Sequence, residues 1–507
     1  MSAAEASPVR WLVVGAVVLT AVLEVLDTTI VNVALPHIQA AFGVTNDQTV
    51  WILTSYVVAS VAVMPLTGLL SRRFGRRRLI LTAICGFAVM SMLCGVSQNM
   101  AMLVICRLGQ GFFGAFLIPL SQAILFSSFP REKRGQAMAM FGLGVVVAPV
   151  LGPTIGALLT EHFSWRAVFY VNLPIAALAL MMITGQMEEE DIHPVKVDWI
   201  GLGLMVTAIG ALQMTLDLGE TKEWFDSHFV QLTAITAALA GVVFVVRGIG
   251  RSENIINFDL LKDRSFSGGN IAIMGFSVSM FGAIAILPLF VQGLLGYPIV
   301  EAGTLFIPRG IAAGFSMVIT GSVLITRFDP RLLLAVGLCL TGAGSLLLAG
   351  LNLDAGYWDI ALPGVVSGLG MGLFFVPMST LAFQNIGPDR QDEASGLYGV
   401  TRSLGTSIGT AIIGWQVAER GGFHAATLNE SVTPFNPAAT AFLEPLGLSP
   451  DTAQGAAVLA QTVQAQASLM AFQDAFLISG YAAFAMLPVI LFLERPRPGA
   501  APSPAAH

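Results

Sequence analysis

Arg73-Phe74-Gly75-Arg76-Arg77-Arg78-Leu79 stands between two apolar runs, and Arg327-Phe328-Asp329-Pro330-Arg331-Leu332 stands between two others. Beyond the first, Pro119-Leu120-Ser121 is followed by Pro130; beyond the second, Pro377-Met378-Ser379 is followed by Pro388, with both prolines displaced by 258 residues. Arg-rich loops followed by prolines at one fixed offset point to a duplicated unit. Working outward, fourteen runs reach the length of about 20 apolar residues that a helix needs to cross the hydrocarbon core. The first is 11–35, the seventh and eighth are 198–218 and 229–249, the thirteenth is 396–418 and the last is 469–493. The offset sets the two Arg-rich loops in equivalent places only if the seventh and eighth runs are an insertion. The sequence therefore predicts an all-α integral membrane protein of 14 transmembrane helices. Its parts are an N-terminal six-helix bundle (1–190), an inserted helical pair with linkers (191–264) and a C-terminal six-helix bundle (265–507) that includes an outward loop, 419–468.

Composition agrees. The 507 residues are 55% hydrophobic and only 11% charged, with a mean hydropathy of +0.77. A soluble domain carries about 25% charged residues, so a water-facing surface of this size has too little charge to be built. The net charge of −6 leaves no polybasic surface for a phosphate backbone, and nucleic acid is excluded as a partner. Of the 25 Lys and Arg, 19 fall in segments on one side of the spans, three on the other and three (Arg107, Arg309, Arg402) inside spans. The richer side is read as cytoplasmic, with both termini on it. The first run carries Glu24 and Asp27 and lacks a small-residue cleavage site, so it reads as a span rather than a cleaved signal.

Two halves with a site at their interface near the midplane make a carrier architecture. No GxxxxGK[ST] segment supports an ATP-driven pump, and HExxH is missing. Gly405-Thr406-Ser407-Ile408-Gly409 fits GxSxG but lies in an apolar span with no preceding strand, so an enzyme is not indicated. The four cysteines, all in apolar runs, give neither a disulfide framework nor a metal site, and no cofactor is expected.

Ionisable residues within spans are costly and mark function. Glu24 and Asp27, three apart, share a helix face. At a separation of ~6 Å and an effective dielectric of ~20, two carboxylates repel by roughly 3 kcal/mol, which favours a shared proton. Proton coupling is one reading; a hydrogen-bonded structural acid is the other. Arg107 cannot easily lose its charge, so it either tunes a neighbouring acid or forms a permanent ion pair. Arg309 and Arg402 can be explained equally by snorkelling to the interface. Pro149, Gly152, Pro153 and Gly156 put a bend and a small-residue face in the fifth run, and Gly364, Gly368 and Gly372 make a similar stripe in the twelfth.

These residues together resemble the fourteen-span drug:proton antiporters of the major facilitator superfamily. Leu26-Asp27-Thr28-Thr29-Ile30-Val31-Asn32-Val33-Ala34-Leu35-Pro36 is similar to that family's first-span motif; Gly68 through Ile80 is similar to its loop 2–3 motif, Arg107 to Gly111 to its span 4 motif, and Gly152-Pro153 with Gly156 to its span 5 antiporter motif. Leu428 to Pro437, in the outward loop, resembles EmrB-type multidrug exporters. The resemblance implies a major-facilitator-type fold and a proton-coupled antiporter, driven by the proton gradient, that exports amphipathic toxic compounds across the inner membrane. It further implies a tripartite pump with a periplasmic adaptor of the EmrA type and an outer-membrane channel of the TolC type. By the same resemblance Asp27 and Arg107 serve proton coupling, Gly68, Gly75, Arg76 and Arg77 form a conformational latch, and the span 5 motif shapes the interface between the halves. Two departures stand out. Arg72 occupies the place where the loop 2–3 motif has an acid, and Glu24 is not required by any family motif, so its role rests on the electrostatic reading alone. Export of one specific metabolite or siderophore, and a non-transporting membrane sensor or scaffold, remain as alternatives.

Overall fold

The computed structural model describes residues 11–129, 133–185, 187, 197–249, 256, 258–433 and 436–494. Pro130 of the repeat, the 190/191 boundary, Pro434 and Phe435, and the basic residues Arg10, Arg131, Lys196, Arg251, Arg495 and Arg497 lie outside the described residues. Thirteen helices among the described residues are long and apolar enough to cross a membrane. They are α1 (Trp11–Phe42), α2 (Asp47–Phe74), α3 (Arg76–Gly95), α4 (Met100–Ser128), α5 (Arg134–His162), α6 (Ala167–Thr184), α7 (Trp199–Leu218), α8 (His228–Gly248), α9 (Arg264–Leu294), α10 (Glu301–Arg327), α11 (Pro330–Ala349), α12 (Tyr357–Ala382) and α14 (Ala453–Phe492). The remaining long helix, α13 (Gln391–Ser431), contains the expected thirteenth run. Arg402, Gln416, Glu419 and Arg420 keep it too polar to qualify by composition.

Helix pairing repeats with a shift of eight helices. In the first half α1 packs on α4, α5 and α6, α2 on α4, and α3 on α4 and α6; in the second α9 packs on α12, α13 and α14, α10 on α12, and α11 on α12 and α14. The contacts between halves obey the same exchange: α2 with α13 is answered by α10 with α5, and α4 with α13 by α12 with α5. The added helices α7 and α8 pack on each other, and α7 leans on α2.

The expected loop 419–468 is largely helical instead. α13 runs on to Ser431 and α14 begins at Ala453, leaving a connector of which Pro437–Leu443 is a short helix. Ala453 to Ser468 is rich in Ala and Gln, strong helix formers, so the backbone satisfies itself where a polar loop was expected. The two extensions are tied by Asp474, which accepts from Arg420 Nε at 2.7 Å and lies 2.9 Å from His424 Nε2.

Candidate functional site

Asp27 has no exposed surface, and its carboxylate collects donors from two other helices. Arg107 Nη1 on α4 lies 2.5 Å from Oδ2; Gln110 Nε2, one turn on, is 2.9 Å from Oδ1; Asn172 Nδ2 on α6 is 2.6 Å from Oδ1. The donors are held in turn. Arg107 Nε donates to the Ile52 carbonyl, its Nη1 also donates to Gln110 Oε1, and its guanidinium lies 4.2 Å from the Tyr56 ring centroid. Asn172 also donates to Ser91 Oγ, which donates to the Phe169 carbonyl. A charge-assisted pair inside a low-dielectric bundle needs this saturation, because a buried charge left without hydrogen bonds costs several kcal/mol.

Glycines set how close the surrounding helices come. A Cβ on Gly111 would overlap the Tyr56 carbonyl oxygen, so α4 can approach α2 only with glycine there. A Cβ on Gly152 would overlap Thr29 Oγ1 and sit 2.8 Å from Thr29 Cβ, and one on Gly156 would sit 2.9 Å from the Ile30 carbonyl oxygen. The antiporter motif was expected at the interface between halves. Gly152 and Gly156 lie instead against α1, within one turn of Asp27, and the α5 contacts with α10 come from Gly135, Gly142 and Leu143. Pro149 and Pro153 sit inside the single helix α5.

For Arg402, where snorkelling was an equal account, the structure offers a charge inside the bundle. Arg402 is half-buried on α13 and within electrostatic reach of Glu24 across the junction of the halves. Arg309, half-buried on α10, has its backbone against α12, where a Cβ on Gly368 would run into its carbonyl oxygen. Glu24 is 8% exposed, so Glu24 and Asp27, though neighbours on α1, occupy different surroundings.

The end of α2 and the start of α3 bridge the halves. Gly68 presses on Glu393, whose Cα would lie 2.6 Å from an added Cβ, and Gly75 turns the chain with φ +81°. Arg76 Nε donates to both oxygens of Asp392 at 2.9 and 2.7 Å, and its Nη2 reaches the Pro388 carbonyl at 3.0 Å. Ser71 Oγ donates to the same carboxylate. Arg72 lies 3.1 Å from Glu393. Arg77 donates to the Thr184 carbonyl at the end of α6, inside its own half. Asp392 and Glu393 occupy the first turn of α13, where the helix dipole favours negative charge. The acid missing at position 72 is thus answered by an acid on the facing helix. Neither Asp392 nor Glu393 was singled out from sequence; two adjacent carboxylates opening a predicted span, opposite an Arg-rich loop of the other half, were the available signal.

Reversing one member, Arg72→Glu, is expected to slow transport by about tenfold by setting like charges together. Adding Glu393→Arg is expected to restore it. The check is the transport rate of both variants in reconstituted vesicles; failure of the second change to rescue the first would separate Arg72 from Glu393.

Among the described residues no group of three or more His, Cys, Asp or Glu side chains is placed to hold a metal ion.

Comparison with known proteins agrees with this arrangement. The profile described as Major Facilitator Superfamily matches residues 17–410. The chain is 33% identical over 484 residues to the multidrug export protein EmrB of Escherichia coli (strain K12), covering 94% of this chain and 93% of that one. It is also 33% identical over 484 residues to the fatty acid resistance protein FarB of Neisseria gonorrhoeae, covering 94% of each. The crystal structure of the human organic anion transporter MFSD10 (TETRAN) superposes with a TM-score of 0.61 at 14% identity, over 94% of this chain and 100% of that one, a likeness of fold.

Proposed function

This chain belongs to the Major Facilitator Superfamily, a multi-pass membrane transporter rather than an enzyme, and on that premise we propose that it exports amphipathic toxic compounds in exchange for inward-moving protons. The observation that carries the proposal is the caged carboxylate of Asp27. Three side-chain donors take three of the roughly four acceptor positions on its two oxygens, so its exchange of a proton is tied to where Arg107, Gln110 and Asn172 sit. A group whose proton exchange follows the placement of its helices is what coupling to a rocking motion needs. A scaffold gains nothing from such a buried charge.

In this reading residues 1–190 and 265–507 move as two bundles, with 191–264 as the inserted pair; Gly68, Gly75 and Arg76 hold the cytoplasmic end shut, and Arg77 braces the loop against α6 of its own half. The protein sits in the inner membrane with both termini in the cytoplasm. Its relatives' names, a multidrug exporter and a fatty acid resistance protein, support greasy substrates. The projecting ends of α13 and α14 offer a seat for a periplasmic adaptor of the EmrA type, which would join an outer-membrane channel of the TolC type.

Proteoliposomes with an imposed pH gradient test the proposal. Amphipathic dye is expected to move only with the gradient present and to stop when a protonophore collapses it. Movement indifferent to the gradient would remove proton coupling; no movement of any amphipath would favour export of one specific metabolite or siderophore.

A further inference from the structure

Glu24 on α1 and Arg402 on α13 come from different halves, and Gly399, one turn before Arg402, packs on Met64 of α2 and Pro119 of α4 across the junction. Each is within electrostatic reach of the other, yet they make no ion-pair contact, and neither side chain makes a hydrogen bond among the described residues. Glu24 is more than nine-tenths buried. One turn before Arg402, Tyr398 is 2% exposed, and its hydroxyl is buried without a partner. The other charge near Glu24 is Asp27 on its own helix, which Arg107 already holds. Proteins saturate buried charges and hydroxyls when the partner belongs to the chain, as Asp27 illustrates. A guanidinium and a phenol left open together, with a carboxylate nearby but not bonded, make a cradle for an anion that the chain itself does not supply.

We propose that Arg402, with Tyr398 beside it, binds the anionic head group of an amphipathic substrate, and that Glu24 is the internal counter-ion which that head group displaces. A planar guanidinium offers two parallel N–H donors to a carboxylate, sulfonate or phosphonate, and the apolar tail would lie along the surrounding aliphatic and aromatic side chains. Arrival of the anion neutralises Arg402 and frees Glu24 from its pull, so substrate and internal acid compete for one cation across the junction of the halves. This assignment rests on the export reading and narrows it to anionic amphipaths.

The test is binding rather than transport, so that failure of coupling cannot be confused with failure of this site. Purified full-length protein in detergent is titrated with 11-(dansylamino)undecanoate and, separately, with its methyl ester, which shares the tail but lacks the charge. Arg402→Gln is expected to weaken binding of the carboxylate about tenfold or more while leaving the ester unchanged. Arg402→Lys should retain part of the preference, because a cation remains. Glu24→Gln, which removes the competitor, should tighten carboxylate binding by about threefold or more, and it keeps the question open to test should Arg402→Gln fail to fold. Equal loss of both ligands in Arg402→Gln with unchanged thermal unfolding, or a carboxylate affinity indifferent to both Arg402→Gln and Glu24→Gln, would overturn the proposal. Gradient-driven dye movement by the intact protein reports the export reading independently.

Discussion

Asp27→Asn is expected to abolish gradient-driven transport and to lower thermal stability at the same time. The stability loss follows from Arg107, which keeps its charge, stays buried and loses its only ion-pair partner among the described residues. Removing one member of a buried pair costs about 3–5 kcal/mol. The two effects can be separated. Combining Asp27→Asn with Arg107→Gln removes both charges and leaves amides that can still hydrogen-bond to Gln110 and Asn172, so most of the stability should return. Transport should not return, because no group at that position exchanges a proton. Thermal unfolding in detergent and dye movement in proteoliposomes, measured on the two single variants and the double, check this. Recovery of transport in the neutral double variant would demote Asp27 to a structural acid and return the search to other carboxylates.

The second large effect concerns Gly152 and Gly156. Their added methyl groups would overlap Thr29 Oγ1 and meet the Ile30 carbonyl at 2.9 Å, and neither can retreat without moving α1 itself. Overpacking of a closely fitted contact costs about 1–3 kcal/mol, but the greater consequence is geometric. Thr29 and Ile30 follow Asp27 within the same helical turn, so pushing α1 from α5 displaces the carboxylate from Arg107, Gln110 and Asn172. Gly152→Ala combined with Gly156→Ala is therefore expected to reduce transport by roughly a hundredfold, with misplacement of a coupling group by about 1 Å as the cause. Gly203 on α7 provides the control, since nothing lies within 4 Å of its would-be Cβ. Gly203→Ala should leave transport unchanged and, through helix propensity, leave stability equal or slightly higher. Comparable loss in all three would mean that the glycines act through general helix flexibility rather than through contact with α1.

The pattern of apolar runs, the Arg-rich repeats and the offset between prolines were legible because each reflects a constraint that acts locally: span length, charge sidedness, turn chemistry. Asp27 and Arg107 were legible for a related reason, since a charge inside an apolar run announces itself. What escaped was whatever depends on a partner far along the chain. Asp392 and Glu393 look like ordinary first-turn acids until Arg76 and Arg72, from the opposite half of the chain, are seen against them. Arg402 was left with snorkelling as an equal account because Glu24 lies in the other half. Gly152 and Gly156 announced a close approach without saying to which helix. The segment 419–468 misled in another way: its mixed polarity reads as a loop when hydropathy is the guide, although its alanines favour helix once it leaves the bilayer.

α13 gives one mechanical consequence. It runs unbroken from Gln391 to Ser431, long enough to cross the bilayer and project well beyond it. Its first turn is gripped by Arg76 and Arg72, its first third bears Arg402, and its far end is braced to α14 through Arg420, His424 and Asp474. Such a member behaves as a strut. A small tilt where the arginines grip it becomes a wide sweep at the opposite tip, so whatever rests on that tip is levered by the release of two ion pairs on the other face of the bilayer.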